Sequence, residues 1–271
     1  MLSGLNFTTM RLVNTYNTSQ SSLANSLERI SSGIKLRQPK DGISDFMKVE
    51  SLRQDRVGYN SVNKSLRRAS GMLDIAQTAG DMITQNLRRM KELTTIYWED
   101  GTTGEEQKAL EAEYNALKED IDRIVNTSHY EGQALIQNTT TLESIALDPN
   151  DTQNTLDISF SGITLVDTSV LDITGGADNT RETAMELVET EYGHSLDYLA
   201  KTTGFIHSVE SQRKLNESSI ENNSAYESTL NDINDAEEMS RMINSEIRQQ
   251  ASLSMILQAN MSRMSVVQLL G

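Results

Sequence analysis

The chain has 271 residues, a formal net charge of −15 and no cysteine. Without cysteine there are no disulfides, thiolate metal sites or cysteine nucleophiles, and the acidic balance repels the phosphates of nucleic acids and of anionic membranes. Only 37% of the residues are hydrophobic and 5% are aromatic. This composition is low for a thick globular core and is compatible with elongated helices.

Both ends of the chain are nearly uncharged. Residues 1–27 contain one charged side chain, Arg11, and residues 249–271 contain one, Arg263. The chain average of 23% would place roughly 11 or 12 charges in these two segments together. Apolar ends of this kind imply that each end covers the other, or that copies in a polymer cover both.

A helix with one side facing a partner helix is predicted ahead of Pro39, because residues along that side recur at steps of three and four. We call this line of residues the stripe of the helix. Gly33 favours an end of the helix there. The stripe consists of Val13, Tyr16, Gln20, Leu23, Leu27, Ile30 and Ile34.

A second helix is predicted from about Asp41 to Glu99, a rod of roughly 85 Å at 1.5 Å per residue. Its small stripe residues Ala69, Ala76 and Gly80 would let a neighbouring helix approach closely. The stripe consists of Tyr59, Val62, Leu66, Ala69, Leu73, Ala76, Gly80, Ile83, Leu87 and Met90.

A third helix should begin after Thr103, which stands in capping-box spacing with Glu106, and should end near Asn126. The short loop before it favours an antiparallel return along the second helix. The apolar positions that support it are Leu110, Tyr114, Leu117, Ile121 and Ile124.

Residues 137–178 predict a small β element, because Leu156, Ile158 and Phe160 alternate with polar residues. A further β-rich run extends from Ile163 to Ile173 and ends at glycines 175 and 176. The predicted fold is therefore mainly α, with long antiparallel helices in a coiled-coil or bundle rod and a hairpin-like β element in the middle.

A long final helix is predicted from a cap at Asn179 with Glu182, continuing with few breaks to Gly271. Its first part carries Leu196, Leu199, Ile206, Val209, Ile220, Leu230 and Ile233. Its last part is rich in Ile, Leu and Met. Eleven side chains of the two end helices are predicted to mediate self-assembly: Val13, Tyr16, Leu23, Leu27, Ile30, Ile243, Ile247, Leu253, Leu257, Met261 and Met264.

No catalytic, cofactor or metal site is predicted. The histidines 129, 194 and 207 lie far apart in the sequence, and the segment from Asp148 to Thr152 lacks the glycine and the terminal glutamate of a calcium loop. No nucleophile, base and orienting group emerge as a set, so we expect a protein that is not an enzyme. The first ten residues have no basic n-region and no unbroken apolar h-region, so we expect export, if it occurs, without the usual cleaved signal. No stretch of 18 apolar residues predicts membrane insertion.

Several stretches resemble, in order, motifs of bacterial flagellins, the subunits of the flagellar filament. They are residues 26–35 (SLERISSGIK), 40–42 (KDG), 76–79 (AQTA), 89–93 (RMKEL), 119–124 (EDIDRI), 132–136 (GQALI), 233–239 (INDAEEM) and 249–260 (QQASLSMILQAN). The resemblance covers both terminal thirds of the chain.

This resemblance implies a fold with three parts. The two ends, 1–40 and 236–271, would pair as helices that line the filament core. Segments 41–136 and 179–235 would form a helical rod around that core, and 137–178 would be a β-rich excursion on the outer surface. It further implies a helical homopolymer that serves swimming motility.

The resemblance also implies partners and a location. The subunit would be extracellular, in the flagellum, after export in an unfolded state through the flagellar type III apparatus. A flagellar export chaperone would hold the C-terminal helix, and hook-associated and cap proteins would contact the filament. A patch of Arg89, Leu93 and Glu113 is similar to the one that animal flagellin-sensing receptors bind.

Two alternatives stand beside the filament subunit. A hook–filament junction protein shares the plan of terminal helices, although the Gln-Gln-Ala motif near the C-terminus favours flagellin. A secreted coiled-coil binding module would show the same periodicity without polymerising.

Overall fold

Long α-helices account for most of the described chain, as the 3/4 spacing of apolar residues predicts. The computed structural model describes residues 2–136, 141–160, 166–176 and 180–270. The helices in these ranges are α1 (Leu2–Ser32), α2 (Ile43–Tyr97), α3 (Gly104–Thr127), α4 (Arg181–Asn231) and α5 (Asp235–Leu270). The mainly α fold is confirmed.

The β structure consists of antiparallel pairs. Strands β1 (His129–Tyr130) and β2 (Gln133–Ala134) form a minimal pair, and β3 (Thr141–Asp148) and β4 (Asp151–Ser159) form a longer hairpin. In this hairpin Ile145 lies opposite Leu156, so the alternating residues of β4 are those of a true strand. The predicted hairpin element is therefore confirmed.

The predicted β-rich run up to Ile173 is wrong in its described part, 166–173; residues 161–165 lie outside the described residues. This segment is a loop with a short 3₁₀ turn at Thr168–Val170. The carboxylate of Asp167 accepts a hydrogen bond from the backbone N–H of Ser169 at 2.9 Å, and Asp172 does the same for Thr174. Such local bonds stabilise turns at the expense of a strand.

The capping box at the start of α3 is confirmed. The hydroxyl of Thr103 accepts a hydrogen bond from the N–H of Glu106, and the Glu106 carboxylate accepts one from the N–H of Thr103 at 2.8 Å. The N–H and the hydroxyl of Thr103 both donate to this carboxylate, and these two bonds lower the pKa of Glu106. The predicted cap Asn179 lies outside the described residues; within them, the hydroxyl of Thr180 accepts a hydrogen bond from the N–H of Thr183.

The final helix is interrupted, because residues 232–234 separate α4 from α5. Here the N–H of Ile233 donates to the carbonyl of Gly33 at 3.3 Å, a long-range bond that replaces an intrahelical one. Asn234 then accepts a bond from the N–H of Glu237 and starts α5. Long-range bonding therefore overrides the continuous helical pattern of the sequence.

The chain divides into two compact units. Unit 1 consists of residues 1–54 and 222–271, and unit 2 consists of residues 55–221. Unit 1 contains ten Lys and Arg and ten Asp and Glu, so it is formally neutral. The other 14 basic and 29 acidic side chains belong to unit 2, which therefore carries the whole net charge of −15.

The core of unit 2 is built on the predicted stripe of α2. From Val62 to Met90 every predicted stripe position is buried. At Gly80 an added Cβ would lie 2.8 Å from a methyl group of Leu199 in α4, which confirms close approach at that small residue. Helix α3 contributes its predicted residues Tyr114, Ile121 and Ile124, all buried.

Helix α4 differs from the prediction at Leu196, whereas the predicted Val209 is buried in this core and Ile206 packs against it. Leu196 is 44% exposed, while Tyr198 and Thr202 are buried. The ring of Tyr198 stacks on Phe160, just after β4, with centroids 4.8 Å apart. This aromatic contact and the hydrogen bond from the Tyr198 hydroxyl to the carbonyl of Leu135 favour burial of Tyr198 over Leu196.

The Gly58→Ala substitution should destabilise unit 2. A Cβ at this position of α2 would overlap the ring of Pro149 in the β3–β4 turn and lie 2.8 Å from its Cγ. The turn would have to move, which would break the hydrogen bond from the Asn150 amide to Asp55. We expect a loss of about 1–3 kcal/mol in the free energy of unfolding, measured by urea denaturation followed by circular dichroism.

The matched control is Gly204→Ala in α4, where an added Cβ meets no atom within 4 Å. This change should stabilise the helix by about 0.5–1 kcal/mol. Equal stability of the two variants would contradict the assigned contact between Gly58 and Pro149.

The Tyr114→Phe substitution should leave stability unchanged or raise it by about 1 kcal/mol. The buried Tyr114 hydroxyl has no hydrogen-bond partner in the described structure, and its burial raises the pKa of the phenol. Removing an unsatisfied buried hydroxyl removes a desolvation penalty. Tyr198→Phe, which deletes a satisfied hydroxyl, should instead cost about 1 kcal/mol in the same urea titration. The opposite order of the two variants would contradict this hydrogen-bond assignment.

Candidate assembly surface

The two terminal helices pack against each other in unit 1. The hydroxyl of Ser26 in α1 donates to the buried carboxylate of Glu238 in α5 at 2.8 Å, and residues 34 and 232 form an antiparallel bridge. The C-terminal end of α1 therefore lies beside the N-terminal end of α5, and the helices run antiparallel.

The contact between them is a seam in which small or polar side chains mix with larger apolar ones, spaced alternately by four and three residues. Ser19, Ser26, Glu238 and Ser252 are buried, and the other seam positions are half-buried. The seam comprises Leu12, Tyr16, Ser19, Leu23, Ser26 and Ile30 of α1, with Glu238, Met242, Ser245, Gln249, Ser252, Ile256 and Ala259 of α5. This spacing is that of a coiled coil, and its small residues permit close approach.

The predicted assembly residues fall on two different faces. Tyr16, Leu23 and Ile30 are half-buried in the seam. Val13 and Leu27 lie one position beside it and are exposed. All six predicted residues of α5 are exposed as well: Ile243, Ile247, Leu253, Leu257, Met261 and Met264.

The exposed face is strongly apolar. Leu257 is 58% exposed and Met261 is 71% exposed, although both lie in a helix that is already paired. Phe7, Met10, Met239 and Met255 extend the same exposed character. Pairing of the ends therefore leaves many of their apolar side chains uncovered. Of the two alternatives drawn from the sequence, coverage by further copies is the one that remains for these side chains. We call the exposed apolar side chains of α1 and α5 the apolar face.

The small residues of the seam were missed because the predicted stripe was assigned mainly by apolarity and not by size. An assignment by apolarity leaves serine out of the stripe, yet Ser19, Ser26 and Ser252 are among the most buried residues of the helix pair. The available signal was the spacing of seven between Ser19 and Ser26, and between Ser245 and Ser252.

The helix pair is closed by the connectors next to it. The N–H of Lys35 donates to the carbonyl of Asn231, and the N–H of Leu36 donates to the Asn231 side-chain oxygen at 3.0 Å. Arg37 pairs with Glu28 at the end of α1, and its hydrogen bond lowers the pKa of the Glu28 carboxyl. These contacts hold the chain directly after α1 beside the chain directly before α5.

The residues of the predicted receptor patch lie in unit 2. Arg89 donates to Glu113 across α2 and α3 at 2.9 Å, and both side chains are exposed. Leu93 is fully buried, so only Arg89 and Glu113 reach the surface.

The described residues contain no group of three or more His, Asp or Glu arranged to hold a metal ion. The segment compared with a calcium loop is the turn between β3 and β4, where Asp148 accepts a bond from the N–H of Asn150. Within the described ranges, no helix combines the length and apolarity needed to cross a membrane.

Comparison with known proteins finds matches to both the N-terminal and the C-terminal region of the chain. The family model of the bacterial flagellin N-terminal helical region matches residues 5–141, and that of the C-terminal helical region matches residues 195–270. The flagellin of Bacillus subtilis is 26% identical, with 98% of each chain covered. The flagellin of Halalkalibacterium halodurans is 25% identical, with 90% of each covered. Flagellin FljO of Caulobacter vibrioides is 24% identical, covering 93% of this chain and 92% of its own.

The Ser252→Leu substitution should push α1 and α5 apart. Ser252 is only 2% exposed, so a larger side chain overpacks the seam at a cost of about 1–3 kcal/mol. We expect faster hydrogen exchange of α5 amides in the monomer. Ser254→Leu, at an exposed position two residues away, is the control and should leave exchange unchanged. Equal exchange in the two variants would contradict the seam register.

Proposed function

The chain belongs to the bacterial flagellin family and is a structural subunit of the flagellar filament, and on this premise we propose that copies polymerise through the apolar face of α1 and α5. The observation that carries the proposal is the exposure of Leu257, Met261 and Met264 on helices that already have an intrachain partner. Their burial between copies supplies the hydrophobic driving force for association.

The charge distribution supports the same arrangement. Unit 1, which carries the apolar face, is formally neutral, so copies can pack there without net repulsion. Unit 2, with its charge of −15, is suited to the solvated surface of a polymer. We assign the filament core to residues 1–40 and 236–271, the surrounding helical layer to 41–136 and 179–235, and the outer surface to 137–178.

Further aspects of the proposal follow from family membership. The protein acts outside the cell, is exported unfolded by the flagellar type III apparatus and has no enzymatic role. A chaperone covers the apolar face of α5 before export, because this face would otherwise associate prematurely. Hook-associated and cap proteins are its neighbours at the filament ends. A flagellin-sensing receptor, if it binds unit 2, meets the Arg89–Glu113 pair and not the buried Leu93.

Seeded polymerisation followed by electron microscopy tests the proposal. The wild type should form long fibres, and Leu257→Asp should not, because assembly would bury an unpaired carboxylate at a cost of several kcal/mol. The folded monomer should be unaffected, since Leu257 is 58% exposed there. We expect the critical concentration for polymerisation to rise by about 100-fold or more, in line with about 3 kcal/mol.

Leu215→Asp provides the matched control. Leu215 is 60% exposed on the part of α4 in unit 2, so the same charge is introduced at a leucine of similar exposure that is not part of the apolar face. This variant should assemble like the wild type. Normal fibres from Leu257→Asp, or from a truncated chain ending at Arg248, would refute the proposal.

A further inference from the structure

A polar cleft runs between α1 and α5, beside the buried pair of Ser26 and Glu238. It has a volume of about 480 Å³ and differs in character from the apolar face. Ser22, Asn25 and Arg29 line it from α1, and Arg241, Asn244 and Arg248 line it from α5. We call it the arginine cleft.

We propose that the arginine cleft binds carboxylates of a second copy of the chain. This inference rests on the proposed function, since it identifies a contact made during polymerisation. It adds a specific polar contact to an association driven by apolar burial.

The cations of the cleft are only partly neutralised within the chain. Arg29 lies 3.8 Å from a carboxylate oxygen of Asp41, a long contact. Arg241 pairs with Glu237 at 2.6 Å and lies 3.7 Å from Glu238. Arg248 forms no ion pair with a residue of the described ranges, and its residue is exposed. The cleft therefore presents one unpaired guanidinium beside two paired ones that retain spare N–H donors.

A carboxylate is the group that this arrangement fits. The planar guanidinium offers parallel N–H donors that match the two oxygens of a carboxylate. If a neighbouring copy covers the cleft, Arg248 loses water, and an unpaired cation in a dry interface is strongly destabilising. An incoming carboxylate removes this penalty.

The chain itself carries the complementary charge. Unit 2 has 29 acidic against 14 basic side chains, whereas unit 1 has equal numbers. Each copy thus has an excess of 15 carboxylates in unit 2, and copies approaching each other repel through that unit. Pairing one or more of those carboxylates with the arginine cleft of the next copy reduces the repulsion locally and fixes the relative position of the copies.

Charge reversal at Arg248 tests the contact. Arg248→Glu should raise the critical concentration for seeded polymerisation at least tenfold, and Arg248→Gln should raise it less. The control is Arg123→Glu on α3, an exposed arginine outside the cleft that changes the net charge equally, and it should stay within twofold of the wild type. Circular dichroism of each monomer checks that folding is retained.

Cross-linking identifies the partner group. In the R248K variant the new amine can be joined to a neighbouring carboxylate with a carbodiimide, which forms an amide bond with loss of water. Filaments grown from a mixture of ¹⁴N- and ¹⁵N-labelled copies should yield peptides that join position 248 of one isotope to an Asp or Glu within 55–221 of the other. Links only within a copy, or none, would overturn the inference.

Competition with inorganic phosphate distinguishes binding of a free anion in the cleft from binding of a second copy's carboxylate. If phosphate protects the R248K amine and mixed-isotope links are absent, the cleft is a site for small anions and the inference is wrong. If the wild type forms fibres and Arg248→Glu assembles normally, this inference is wrong and the proposed function is unaffected. Failure of the wild type to polymerise would refute the proposed function, and this inference with it.

Discussion

The constraint on which this molecule depends is that one helix pair can bury only one face of each helix. Along α1 and α5 the fully buried positions of that face are serines and Glu238, while its larger apolar residues, among them Leu23 and Ile256, are only half-buried. Small seam residues bring the two helices close but bury little apolar area, so the pair gains modest hydrophobic stabilisation from its own contact. The side chains able to supply more, among them Leu253, Leu257 and Met261, point away from the seam.

The distribution of charge follows the same division into two units as the packing of apolar residues. The formally neutral unit 1 has an apolar face, and the strongly acidic unit 2 has a core of buried apolar residues, although some side chains such as Leu215 stay exposed. Unit 2 therefore has a hydrophobic core of its own, to which α2, α3, α4 and the β3–β4 hairpin all contribute residues. Unit 1 instead leaves many apolar side chains of its terminal helices exposed, and this contrast is the physical reason to expect a polymer held together by its terminal helices.

Much of the fold can be predicted from the sequence where one regular pattern extends over many turns. The α2 stripe from Val62 to Met90 is buried as predicted, because its small and large members repeat without interruption and face a core within the same unit. The capping box at Thr103 is local chemistry that needs no knowledge of the fold. Predictions failed where long-range contacts determine the structure. The break between α4 and α5 depends on a hydrogen bond to Gly33, and Tyr198 is buried in place of Leu196 because its ring stacks on Phe160. In α1 the predicted positions Tyr16, Leu23 and Ile30 lie in the seam, while Val13, Gln20 and Leu27 are each displaced from it by one position, because apolarity does not reveal where small residues allow close packing.

The hydrogen bond between Ser26 and Glu238 joins residues 212 positions apart. Unit 1 therefore cannot form until residues of both end segments are present, whereas unit 2 is one continuous segment, 55–221. A prematurely terminated chain lacks α5 and with it half of the seam. The topology thus makes the paired terminal helices dependent on both end segments at once: a molecule that lacks either segment cannot present the pair.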